Sequence, residues 1–140
     1  MPRKDVYPMG GQQGDAIILH ARLSAAADGT INHKFYNKNC PSGVRVLSAY
    51  FFQRSLRTGG TPDHDITLRK GDGAASEAFS TIGTADFDAA VTDTQTFLTI
   101  DDANFDIAAN GSLDLNLVVG GTTTGGTALI DVVVVVTPLS

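Results

Sequence analysis

The sequence predicts an all-β domain, an antiparallel β-sandwich of about eight strands with jelly-roll-like connections. The composition is the first observation, because Gly contributes 15 of 140 residues and Val and Thr recur in short runs, which favours strands and turns over helices. Apolar and polar residues also alternate in several segments, as they do in strands with one buried face. No regular succession of strand, helix and strand is present, so a parallel sheet is not indicated.

The strands are predicted between turn signals such as Asp28-Gly29 and Asn110-Gly111. Ala85–Val91 is the one helix candidate, because its apolar residues have a helical spacing, and Gly120–Thr127 is predicted to be a flexible loop. The predicted strands are Ala16–Leu23, Thr30–Tyr36, Val44–Gln53, His64–Lys70, Glu77–Ile82, Thr96–Ile100, Ser112–Val119 and Ala128–Thr137, with Asn104–Ala108 as either a short strand or a loop.

Two regions of different character divide the chain. Residues 1–15 contain two prolines, three glycines and two glutamines, and this composition predicts an extended N-terminal arm. Residues 16–140 are predicted to form a single β-sandwich domain, since 140 residues are too few for two domains of ordinary size.

The last predicted strand is apolar on both of its faces. Because successive side chains of a strand point to opposite sides, Ile130, Val132, Val134 and Val136 share one face, which we assign to the core. The other face carries Asp131 among apolar residues, and we assign it to a contact with another subunit. The second doubly apolar strand, Val44–Gln53, is predicted to place Val44, Val46, Tyr50 and Phe52 on one face. The candidate interface residues are Leu47, Phe51, Leu129, Val133 and Val135.

The distribution of charge argues against nucleic acid as a partner. The net charge is −5, and the basic residues, all within residues 1–70, do not cluster with aromatic residues. The N-terminal residues lack the apolar segment of a signal peptide, and the apolar run near the end is about ten residues, half of what a membrane helix needs. We therefore expect a protein that is made in the cytoplasm and does not act at a membrane.

No motif of catalytic chemistry is present in the sequence. It contains no G-x-S-x-G nucleophile elbow and no phosphate-binding glycine motif, so an enzyme is not expected and no cofactor is predicted. Two acidic groups, Asp63-His64-Asp65 and Asp101-Asp102 with Asp106, are weak candidates for a metal site because both lack a complete ligand pattern. The single cysteine, Cys40, is expected to be an ordinary half-buried thiol.

Four features from Val44 to Pro138 together resemble the small β-sandwich decoration, or cement, proteins of tailed-phage heads. They are the long apolar strand VRVLSAYFFQ, the strand and basic glycine turn ITLRKGDG, the segment IAANGSLDLNLVVGG, and the terminal valine strand closed by a proline. The resemblance is one of pattern, and residues 1–43 lie outside it. Other viral jelly rolls, such as head-fibre domains, share the same pattern.

The resemblance implies a structural, non-enzymatic virion protein. Such a protein is expected on the outer surface of the capsid, as an oligomer and most simply a homotrimer, where it bridges neighbouring capsomers of the major capsid protein. The arm is then expected to dock on the capsid through Arg3, Lys4, Val6 and Tyr7. The apolar strand faces independently require a partner, and symmetric oligomers are the usual way to provide one.

A carbohydrate- or receptor-binding module is the alternative function, because many β-sandwiches bind glycans. Its site is expected near Tyr36 or in the loop of residues 58–65. The absence of Trp and the small number of Tyr residues weigh against it, since sugars usually stack on exposed aromatic rings.

Overall fold

The computed structural model describes residues 16–87 and 93–139 of the chain. These residues form nine β-strands, and they contain no helix long and apolar enough to cross a membrane. The strands are β1 (Ile17–Ala25), β2 (Gly29–Tyr36), β3 (Val44–Thr58), β4 (Asp63–Gly71), β5 (Phe79–Asp86), β6 (Gln95–Phe97), β7 (Asp106–Ile107), β8 (Ser112–Gly120) and β9 (Gly125–Pro138).

The strands form two antiparallel sheets that pack face to face. One sheet has five strands in the order β1-β9-β3-β6, with the short β7 also paired to β3, and the other has four strands in the order β2-β8-β4-β5. Consecutive strands repeatedly lie in opposite sheets, as in a jelly roll. The predicted all-β, jelly-roll-like sandwich is therefore confirmed.

The core lies between the sheets and contains the alternate residues of the long central strands. In β9 the side chains of Ile130, Val132, Val134 and Val136 are completely buried, so the prediction that this face lies in the core is confirmed. In β8, Leu113, Leu115 and Leu117 are also completely buried. The alternating pattern of these two strands follows from one face packing against the opposite sheet.

The strict alternation predicted for β3 is wrong after Val46. The pairing of β3 with β9 shifts between Val46 and Ser48, so Leu47 is an extra residue at a β-bulge. The bulge reverses the phase of the strand, and Ala49 and Phe51 consequently point into the core, where both are completely buried. Tyr50 and Phe52 point to the outer side of the sheet instead of sharing a face with Val46.

The helix candidate Ala85–Val91 is also wrong in the part that the structure describes. Ala85 and Asp86 are the last residues of β5, and Phe87 is buried in the core. Residues 88–91 lie outside the described residues. The helical spacing of the apolar residues did not lead to a helix, because Ala85 and Asp86 are paired with β4 as part of β5.

The glycine-rich segment Gly120–Thr127, predicted to be a flexible loop, is bound to the rest of the fold. The Thr124 amide donates to the Thr58 carbonyl at 2.8 Å, and the Thr61 amide donates to the Gly121 carbonyl at 3.0 Å. The buried Arg57 donates to Thr123 Oγ1 at 2.8 Å and to the Ala26 carbonyl at 2.7 Å. One arginine therefore joins the connections β1–β2 and β8–β9 at one end of the sandwich.

Candidate interaction surface

The outer face of the five-stranded sheet carries large apolar side chains that nothing in the described structure covers. The register of the sheet places Ile18 beside Val135, and Val133 beside Tyr50, which in turn pairs with Phe97. Ile18 is 70% exposed, Phe97 is 59% exposed, and Leu47 at the bulge is 50% exposed. We call the set Ile18, Leu47, Tyr50, Phe97, Val133 and Val135 the contact surface.

Aromatic rings extend the contact surface toward the β6 edge of the sheet. The ring of Tyr50 lies 5.3 Å from that of Phe97 and 5.9 Å from that of Phe52, as measured between ring centroids. The guanidinium of Arg54 lies over Phe52 at 5.3 Å. Exposed aromatic and arginine side chains are the residue types most enriched at the energetic centres of protein interfaces.

A charged cluster borders the contact surface and is centred on Asp131. Its carboxylate accepts two hydrogen bonds from Arg22, at 2.7 and 2.9 Å, and a third from Arg54 at 2.9 Å. Arg54 also contacts Asp93. The hydrogen bonds from Arg22, and after them the one from Arg54, hold the pKa of Asp131 far below its ordinary value against the opposing effect of burial.

Asp131 therefore has a structural reason to stand on this face of the valine strand. Its side chain is 8% exposed, and its charge is balanced by arginines from the two neighbouring strands β1 and β3. A carboxylate that is neutralised in this way does not prevent the surrounding apolar residues from entering an interface.

The predicted interface residues separate into three groups in the structure. Leu47, Leu129, Val133 and Val135 all lie on the outer face of the five-stranded sheet and are partly or largely exposed. Phe51 lies in the core, so it is not available to another subunit, and the bulge at Leu47 is the reason. The predicted arm residues Arg3, Lys4, Val6 and Tyr7 lie outside the described residues.

Sequence reasoning missed three members of the contact surface. Ile18 and Phe97 join it only because β1 and β6 belong to the same sheet as β9 and β3, and strand order is not readable from local alternation. Tyr50 was assigned to the side of Val46 because the bulge has no signal in a run of apolar residues. The sequence offered one indication of this surface: Ile18 is an apolar residue on the otherwise polar face of β1, which it shares with His20 and Arg22.

The outer face of the four-stranded sheet is polar by comparison. Asp114 is 1% exposed and forms two hydrogen bonds with Arg69, at 3.0 and 2.8 Å, while the Asn116 side chain donates to Asn32 at 2.7 Å. The apolar side chains here are fewer: Val118, and Phe79, whose ring lies 4.0 Å below the Arg69 guanidinium. The two outer faces of the sandwich therefore differ in chemistry.

The structure does not assemble the predicted Asp63-His64-Asp65 group as a metal site. His64 is completely buried and its ring packs near Phe87, whereas Asp63 and Asp65 point outward. The strand pairing brings Asp86 beside them instead, with carboxylate oxygens of the three residues within 4.8 Å of one another. Exposed acidic groups of this kind are common without an ion, and the arrangement alone assigns no function.

The second acidic group is used locally. Asp101 accepts hydrogen bonds from the Ala103 amide at 2.9 Å and from the Asn104 side chain at 2.8 Å, and these bonds stabilise the turn at residues 102–104. Asp106 forms two hydrogen bonds with Arg45, at 2.7 and 3.0 Å. The two carboxylates therefore serve different partners and do not converge on a common point.

The residues proposed for a glycan site take part in packing and hydrogen bonding within the fold. Tyr36 is partly buried against the core, and burial raises the pKa of its hydroxyl. Of the predicted loop 58–65, only residues 59–62 connect β3 to β4, because β4 begins at Asp63. The backbone groups of Thr58 and Thr61 are hydrogen-bonded to the β8–β9 connection. Cys40 is almost completely buried and not half-buried as predicted, and this burial raises the pKa of its thiol.

Comparison with known proteins identifies similar folds in phage capsids. One chain of the cyanophage Pam1 capsid asymmetric unit superimposes with a TM-score of 0.56 at 20% identity, over 98% of this chain and 94% of that chain. One chain of the capsid of Ralstonia phage GP4 superimposes with a TM-score of 0.58 at 14% identity, over 95% of this chain and 90% of that chain. No family model and no curated protein sequence matches. The structural neighbours thus share the jelly-roll fold at nearly the same length.

Proposed function

We propose that this chain is a structural, non-enzymatic virion protein that decorates and stabilises a phage capsid. The support is twofold: the fold resembles chains of two phage capsids over almost the whole length of both partners, and one outer sheet face is apolar. The matches cover 90% or more of both chains in each case. Similarity at this level of identity supports the fold, and the surface supplies the argument for assembly.

The contact surface is the single observation that carries the proposal. Exposed apolar side chains from β1, β3, β6 and β9 adjoin one another on one face, which a protein acting as an isolated monomer rarely maintains. The partner is a second copy of the chain, and the expected assembly is a homotrimer that contacts the major capsid protein on the outer capsid surface. Synthesis in the host cytoplasm is consistent with this role.

The free energy gained by burying the contact surface can exceed the free-energy cost of association. Burying a Val, Leu, Ile or Phe side chain completely contributes roughly 1.5–3 kcal/mol, and the contact surface has several partly exposed side chains of these types. Association costs about 4–15 kcal/mol in lost translational and rotational freedom. A contact that buries most of these side chains in each copy can therefore hold an oligomer together.

The self-association is tested by Val133→Lys, which places a charge in the middle of the contact surface. We expect the variant to fold and to have a lower mass by light scattering than the wild type, because the new ammonium group would have to be desolvated at the interface. Val118→Lys is the matched control, since Val118 is a 37% exposed valine on the outer face of the other sheet. Equal masses for Val133→Lys and the wild type would contradict the proposal.

The virion role is tested on purified phage particles that encode this chain. We expect the protein to remain with the heads through density-gradient purification and to react with an antibody on intact particles. Its absence from purified heads, or its protection from the antibody until the shell is opened, would argue against an outer decoration protein.

A further inference from the structure

Strand β1 forms an edge of the five-stranded sheet, and among residues 16–87 and 93–139 no strand pairs with its outer side. Natural sheet edges are usually protected by bulges, prolines, lysines or very short strands. The other edges here follow this rule: β2 contains Lys34 and a register shift, the β4–β5 pairing has a register shift, and β6 and β7 have three and two residues. β1 has no bulge, Pro or Lys, and its nine residues pair with β9 without a break. Its one fully charged side chain, Arg22, is bound to Asp131 of β9.

The first residues of β1 are also exposed on both of its faces. Ile17, on the core side, is 38% exposed, and Ile18, on the outer side, is 70% exposed. Leu19 is again on the core side and only partly buried, whereas Ala21, Leu23 and Ala25 further along the strand are buried. The exposed aliphatic residues are therefore concentrated where an additional strand beside β1 would cover them.

The chain itself supplies a segment that can reach this place. Residues 1–15 precede Ile17 almost directly, and fifteen residues can span at most about 50 Å. Between Pro2 and Pro8 lie five residues, Arg3–Tyr7, each of which has a backbone N–H and can take part in a strand ladder. Residues 9–15, which connect this segment to β1, include three glycines.

We propose that residues Arg3–Tyr7 of one copy add to the β1 edge of a neighbouring copy as an extra strand. Val6 and Tyr7 would cover the exposed aliphatic residues of β1, while main-chain hydrogen bonds would supply affinity, as in other cases of strand addition. The new edge would carry Arg3 and Lys4 and be flanked by prolines, which prevents further strand addition. The inference rests on the proposed self-association, because Ile18 belongs to the contact surface and brings the neighbour within reach.

The test mixes two single-cysteine variants, Val6→Cys in one chain and Ile18→Cys in another that carries a size tag, and adds a short bismaleimide cross-linker. We expect a covalent heterodimer between the two variants. The control replaces Ile18→Cys by Val118→Cys, an exposed valine on the other sheet, and should give little heterodimer. Cys40 is present throughout, and because it is buried, the wild-type chain reports any background reaction.

Light scattering on the same samples separates the two proposals. An oligomer that gives no more Val6–Ile18 heterodimer than the control would overturn strand addition and leave self-association intact. A monomer of wild-type chain would overturn both. A Val6→Cys, Ile18→Cys double variant that yields only an internally cross-linked monomer would show that the segment covers its own β1 and would overturn the exchange between copies.

Hydrogen exchange gives a second reading that does not depend on the choice of cysteine positions. Deleting residues 1–15 should accelerate exchange of the β1 amides that point away from β9, and leave exchange in β8 unchanged. Equal β1 exchange rates in the full and the shortened chain would contradict the proposal.

Discussion

Asp131 and Glu77 show how single carboxylates connect elements that are distant in sequence. Asp131 joins β1 and β3 through Arg22 and Arg54, and Glu77 joins β2 and β8 through Lys34 and Ser112. None of these partners is adjacent in sequence, so the sequence alone indicated an acidic residue in an apolar strand without indicating what neutralises it. The topology provides the partners, and the pairing makes the charge compatible with burial.

Glu77 leads to a prediction about acid stability. The ammonium of Lys34, 2.7 Å away, followed by the Ser112 hydroxyl, lowers the pKa of Glu77 to about 2 from an ordinary value of 4.5. The lowered pKa means that the charged form stabilises the fold, fully above about pH 4.5 and progressively less as the pH falls through about 2. Glu77→Gln should therefore be less stable than the wild type near neutral pH, with a difference that shrinks toward pH 2.

Urea denaturation of the two proteins over this range of pH measures the effect. A difference in unfolding free energy that stays constant from neutral pH to about pH 2 would mean that the Lys34–Glu77 pair contributes nothing that depends on the charge of Glu77.

Gly121 leads to a second prediction at the residue scale. Its φ is +79°, in the left-handed region, and a Cβ added there would overlap the carbonyl oxygen of Thr61. Gly121→Ala should destabilise the protein by more than the ~1–2 kcal/mol that the backbone conformation alone costs. The neighbouring Gly120 has an ordinary φ, and a Cβ added there would make only a van der Waals contact with the Asp63 carbonyl oxygen at 3.9 Å, so Gly120→Ala is the matched control and should be nearly neutral. Equal thermal stability of the two variants would contradict this account of the β8–β9 connection.

The strands differ in how well their sequence predicts their orientation. In β8 and β9 the apolar residues recur with a period of two, and the structure buries the predicted residues. In β3 nearly every residue from Val44 to Phe52 is apolar or small, so alternation has no contrast from which to detect the bulge at Leu47. The orientation of Phe51 was predicted wrongly for this reason.

The bulge in β3 predicts an asymmetry between two single-residue deletions. Removing Leu47 leaves Val46, Ala49 and Phe51 facing the core with ordinary alternation, so the variant should fold with a modest loss of stability. Removing Tyr50 would turn Phe51 to the outer face and should prevent stable folding. Circular dichroism and thermal denaturation of the purified variants distinguish them, and a folded Tyr50 deletion with an unfolded Leu47 deletion would contradict the assignment of the bulge.

The architecture of the whole molecule was more predictable from the sequence than its surface. Turn signals and short apolar segments were sufficient to predict an antiparallel sandwich, because both features can be recognised in the local sequence. The contact surface combines residues from four strands that are adjacent only after folding, and Ile18 and Phe97 could not be assigned to it before the strand order was known. The exposed aliphatic start of β1 was likewise hidden, since an edge strand looks like any other strand in sequence.

At the scale of the molecule, the asymmetry between its two outer faces is the main indication of assembly. One face has paired polar side chains such as Arg69–Asp114, while the other exposes Ile18, Leu47 and Phe97 around a neutralised carboxylate. The proposed decoration role uses such a division, since one face would bind copies of the chain and the remaining surface would face solvent or the shell.

The central claim is that the chain does not act as a monomer, and the mass of the wild-type protein in solution tests it most directly. A single chain has a mass of 14.6 kDa. Light scattering coupled to size exclusion should give a defined multiple of this mass, three chains for the expected trimer. A species of one chain that remains soluble on concentration would contradict the account.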